Sequence, residues 1–76
     1  MTSSRSVVGA NIKAEMARRG VTQAALADHL GMTQQAVSNK IAGTRPIPTD
    51  ELVRIAAFLN VDETVLTAGA RAAVAS

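Results

Sequence analysis

Apolar residues recur along this chain at helical intervals, interrupted by residues that start helices. Val8, Ile12 and Met16 stack at i, i+4 and i+8. That spacing predicts a first helix over about 7–19, closed by Gly20 in the place a helix C-terminus favours. An apolar residue, a capping residue and an apolar residue four positions past the cap then recur three times. The sets are Val21, Thr22 and Leu26; Met32, Thr33 and Val37; and Val61, Asp62 and Leu66. This is the hydrophobic-staple arrangement, so three helix starts are marked independently. A fourth start follows Pro46-Ile47-Pro48-Thr49, with Pro48 or Thr49 as its cap, and Leu52, Ile55, Ala56 and Leu59 form one apolar stripe beyond it. The expected helices cover about 7–19, 23–30, 34–42, 49–59 and 63–68. A frayed polar segment is expected over 1–6, and an Ala-rich stretch over 69–76 that either extends the fifth helix or trails as a tail. Connections this short imply a compact, all-α, five-helix domain.

Composition narrows this picture without changing it. Seventy-six residues suffice for one core and not for two. Fifteen are Ala and Phe58 is the only aromatic, so the core must come from closely packed helices with thin side chains rather than from a sheet. Cysteine is absent, which removes disulfides and thiolate chemistry. No stretch approaches the roughly 18 apolar residues of a membrane span, and Met1–Ala10 does not resemble a secretion signal. A cytoplasmic protein with no membrane partner is expected.

The net charge of +2 is too slight to argue for any partner. Its distribution says more: Lys40 and Arg45 are the only charged residues between Gly31 and Thr49, whereas Asp50, Glu51, Asp62 and Glu63 lie at helix starts, where they suit the dipole. The middle of the chain is expected to be electropositive.

The helices expected over 23–30 and 34–42 are separated only by Gly31, Met32 and Thr33, which forces a steep crossing. Ala27 supplies a small residue where they touch, and Gly31 a flexible one at the bend. Thr22-Gln23, Ala27, Gly31, Thr33-Gln34-Gln35, Val37, Ser38, Gly43, Pro46 and the run Leu52, Ile55-Ala56, Leu59, Val61 follow one another in order. This set resembles the helix-turn-helix family of phage Cro and repressor proteins and their bacterial xenobiotic-response-element-type relatives, over about Val8 to Leu66. The resemblance implies a lambda-repressor-like fold and a DNA-binding regulator, nearest in layout to small Cro-like repressors. Where relatives often carry an acidic residue this chain has Ile41, and where they carry an apolar one it has Lys40.

The third helix can also be read from geometry. At roughly 100° per residue, Val37 and Ile41 define its buried side, and Gln35, Asn39 and Ala42 fall opposite, flanked by Ser38 and Ala36. That face is uncharged, slim and rich in amides, which suits the donor and acceptor pattern of base edges in the major groove. Gln34, in the first turn, has a side chain long enough to reach the same groove. Gln34, Gln35, Ser38 and Asn39 are therefore the candidate base-reading residues. The resemblance adds candidate contacts to the DNA backbone: Gln23 and Thr33 at helix starts, Lys40 on the flank of the third helix, and Thr44 and Arg45 in the loop after it.

Other chemistry finds little support. Asp28 and His29 are adjacent on a helix and so point about 100° apart, which makes no catalytic dyad, and a solvated His29 is the simpler expectation. No residues are spaced as metal ligands, and no enzyme activity, cofactor or small-molecule ligand is expected. Arg18 and Arg19 are accounted for by the helix C-terminus they would occupy. One module of this size calls for two copies on a near-palindrome, so a homodimer on DNA is expected. Val53 and Phe58, off the apolar stripe of the fourth helix, are its candidate contacts. The competing function is an antitoxin-type module that masks a protein partner and binds DNA only secondarily.

Overall fold

The computed structural model describes residues 4–70, and these form five helices: α1 (Ser4–Arg19), α2 (Gln23–Leu30), α3 (Gln34–Ala42), α4 (Thr49–Leu59) and α5 (Glu63–Thr67). Four of the five start within a residue of where the sequence marks them. The exception is α1, which is helical from Ser4 rather than Val7. Its extra turn is held by tertiary contact, because Ser6 packs against Gly43 at the end of α3. Of the segments expected to fray or trail, residues 1–3 and 71–76 lie outside the described residues. No helix among the described residues is long and apolar enough to cross a membrane.

The caps act as the sequence indicates. Thr22 Oγ1 accepts from Ala25 N and Thr33 Oγ1 from Ala36 N, each at 3.1 Å, and Asp62 Oδ1 accepts from Thr64 N at 2.9 Å. Each relieves one of the unpaired donors of a helix start. Pro48 caps α4 without a side-chain bond. Gly31 ends α2 at φ +70°, with open space where a Cβ would project. Its glycine is thus required by backbone conformation and not by crowding.

One core joins all five helices. Ile12 and Met16 of α1, Leu26, Ala27 and Leu30 of α2, Val37 of α3, Ile55, Ala56 and Leu59 of α4, and Leu66 of α5 are all buried. The staple residues Val21, Met32 and Val61 pack against this cluster, partly buried. Helix α1 lies chiefly on α3 and α5, and α2 on α3 and α4. Asn11 Nδ2 donates to the carbonyls of Leu66 and Ala68, at 2.9 and 2.8 Å, and so satisfies the open end of the five-residue α5. Glu15 is buried, but its two carboxylate oxygens accept from Arg18 and Arg19. Those arginines therefore do more than suit the helix dipole: they neutralise a carboxylate one turn back.

Two side chains at the surface gain a partner within the molecule. His29 is exposed, as expected, and its ring also stacks on Phe58 with ring centroids 4.3 Å apart and planes 21° from parallel. Its carbonyl accepts from Arg54 Nη2 at 3.2 Å. Phe58 also packs on the core. It therefore ties α4 to α2 inside one molecule, a use that its position off the stripe did not suggest.

Candidate nucleic-acid interface

Helix α3 is held on one side and open on the other. Val37 is buried and Ile41 packs partly buried on the core, while Gln34, Gln35 and Ala42 are exposed and Ser38 and Asn39 half-exposed. Along the open face Gln35 Nε2 donates to Asn39 Oδ1 at 3.0 Å. The pair leaves the Gln35 side-chain carbonyl and the Asn39 amide donors without partners among the described residues. An acceptor and a donor are thus both left available on a face without charge.

The two ends of α3 are fixed differently. At its start, Thr33 Oγ1 accepts a backbone proton and keeps its own hydroxyl proton to donate. At its end, Gly43 turns at φ +84°, and Thr44 donates to the Asn39 carbonyl twice, from N and from Oγ1, both at 3.0 Å. Lys40 Nζ lies 2.6 Å from Glu51 Oε1 in the first turn of α4, with side chains only 16% and 14% exposed. This contact is an ion pair without hydrogen-bond alignment, since that oxygen has no hydrogen-bond partner. Of the residues expected at the DNA backbone, then, Thr44 has its donors engaged within the protein and Lys40 has its charge paired there. Gln23, half-buried at the first position of α2, and Arg45, exposed in the loop after α3, carry no such engagement among the described residues. The expected electropositive middle of the chain is correspondingly reduced, because Glu51 folds back onto Lys40.

A family model described as helix-turn-helix, of the xenobiotic-response-element type, matches residues 12–66. The chain belongs to that family. Among curated proteins none matches it. The matched span runs from α1 to α5 and contains the whole α2–α3 unit, and the helix-turn-helix assignment makes this protein a DNA-binding transcriptional regulator. Its fold class, an all-α five-helix domain, agrees with the assignment.

Several residues that shape this helix-turn-helix interface were not singled out from the sequence. Gly9 and Ser6 of α1 lie directly against the end of α3. Glu51 holds Lys40. Arg5 lines a small pocket of about 170 Å³ with Val8, Pro46, Ile47 and Leu52, which sets a further cation beside the loop that carries Arg45. A glycine inside a helix is itself a signal of close approach, since it costs about 0.5–1 kcal/mol relative to Ala. For Arg5 and Glu51 no local signal exists; their partners are brought to them by the fold.

Proposed function

We propose that this regulator is a repressor that binds a near-palindromic operator as a homodimer, with α3 in the major groove. The observation that carries the reading is the bonded pair Gln35 and Asn39. An adenine edge offers an acceptor at N7 and a donor at N6. The Asn39 amide can donate to the first while the Gln35 carbonyl accepts from the second, with the bond between the two side chains holding both in place. Gln34 and Ser38 read flanking positions. Gln23, Thr33 and Arg45 contact phosphates and set the register, whereas Lys40 and Thr44 serve as internal braces of α3.

Two copies are compatible with the DNA spacing. The described residues span 35 × 23 × 21 Å, so domains set with a short axis along the duplex fit on half-sites ~34–36 Å apart. Repression then follows from occupancy: in the cytoplasm, a dimer on a promoter excludes polymerase without any catalysis.

The test is selection of bound fragments from random duplex DNA, followed by footprinting of the selected site. A two-fold site protected about one turn per half is expected, with an adenine whose preference is relaxed in Gln35→Ala and Asn39→Ala. Each substitution should cost about 1–3 kcal/mol on that site. The double variant should cost less than the sum, since the side chains act as one unit. Full additivity, or unchanged preference in either variant, would refute the paired readout.

A further inference from the structure

The contact between α1 and the end of α3 is made by backbone on backbone. Gly9 is buried, and a Cβ built on it would overlap the Ile41 carbonyl oxygen outright and stand 2.7 Å from its carbonyl carbon and 3.1 Å from its Cα. One turn earlier on the same face of α1, Ser6 meets Gly43. A Cβ on Gly43 would lie 2.9 Å from Ser6 Oγ, 3.1 Å from its N and 3.2 Å from its Cα. Each helix thus places a glycine where the other's backbone passes.

Side chains at a helix contact can change rotamer when a neighbour moves, but a main-chain carbonyl cannot leave without its helix. The residues on either side of this seam matter for the open face of α3. Asn39 lies two positions before Ile41, its carbonyl is tied to Thr44, and its side chain is bonded to Gln35. Lys40, between Asn39 and Ile41, is held from α4 by Glu51. The C-terminal half of α3 is therefore clamped from α1 and α4 at the turn that presents Asn39.

We infer that Gly9, with Gly43 opposite Ser6, is a positioning element for DNA readout: it sets how far the Asn39 end of α3 stands from the body of the domain. This rests on the reading of α3 given under Proposed function. A non-bonded carbon needs about 3.5 Å from its neighbours, so a methyl at position 9 must displace the Ile41 carbonyl on the order of 1 Å. Good hydrogen bonds tolerate only about 0.5 Å of variation in length. Base-edge contacts are lost under such a displacement. Phosphate contacts through the flexible Arg45 side chain, and through Gln23 at the far end of the α2–α3 unit, persist.

The experiment compares Gly9→Ala with the unaltered chain on the selected operator and on unrelated duplex at low salt, with thermal melting as the folding control. The expected result is a folded Gly9→Ala protein whose operator affinity falls about tenfold or more, the size of a lost base contact. Its affinity for unrelated DNA and its salt slope should stay unchanged. Equal loss on both DNAs, or no loss, overturns the inference. If Gly9→Ala does not fold, Gly43→Asn decides by the same criterion, because Asn tolerates a positive φ and its Cβ wedges the same seam more gently. It should lower the ratio of operator to unrelated affinity about threefold, scaled down from the base-contact loss. Failure of the unaltered chain to prefer any sequence would overturn the functional reading itself, a result distinct from either variant keeping full preference.

Discussion

Lys40 and Arg45 are the two cations between Gly31 and Thr49, and the fold assigns them opposite environments. Arg45 is exposed and free of partners among the described residues, so it is available to release counterions from DNA. Lys40 is held against Glu51 in a largely shielded ion pair. Arg45→Ala should therefore weaken binding to all sequences alike and reduce the slope of log affinity against log salt by about one unit. Lys40→Ala should leave that slope unchanged and instead lower stability by about 1–3 kcal/mol, since it strands the Glu51 carboxylate. Titration of binding over a salt series, with denaturant melts of each variant, separates the two. A slope change for Lys40→Ala would return that residue to the DNA backbone.

At the scale of the element, each helix of the α2–α3 unit is bounded by devices visible in the sequence, and α5 shows how much a short helix depends on them. Its five residues follow the cap Asp62, whose carboxylate accepts from the Thr64 backbone N–H and hydroxyl. These two bonds hold the Asp62 carboxyl below its ordinary value of 3.8, the backbone bond contributing most. A carboxylate with a depressed folded-state pKa stabilises the fold above its unfolded-state value, and that contribution disappears as pH falls through the folded-state one. Melts of the unaltered chain and Asp62→Ala should thus differ near neutrality and converge as pH drops below 3.8. A constant difference across that range would show that the cap does not act through its charge. The other end of α5 relies on Asn11, a polar residue in the first helix that reads as ordinary surface until the last helix is laid beside it.

For the whole molecule, the homodimer proposed above would place Val53 and Phe58 of α4 at the contact between copies. Phe58 is already committed to His29 and to the core, so Phe58→Ala should destabilise each monomer, by about 1–3 kcal/mol, whatever it does to assembly. Val53 is 45% exposed and gives the cleaner test. Val53→Asp should leave the melting temperature nearly unchanged and abolish cooperative binding to two half-sites; retained cooperativity would exclude this part of α4 from the dimer contact. Local sequence determined the starts of α2, α3, α4 and α5, the side-chain caps of α2, α3 and α5, and the amide face of α3, because caps and periodicity are set by residues within one turn of each other. The α2–α3 corner was legible for the same reason, with Ala27, Gly31 and Thr33 only a few positions apart. What depended on distant parts of the chain was decided only by tertiary structure. Ser6 meets Gly43, Gly9 meets Ile41, Glu51 neutralises Lys40 and His29 covers Phe58. No local rule places such partners, since the free energy that brings them together comes from burying one shared core and not from the residues that happen to meet at its edge.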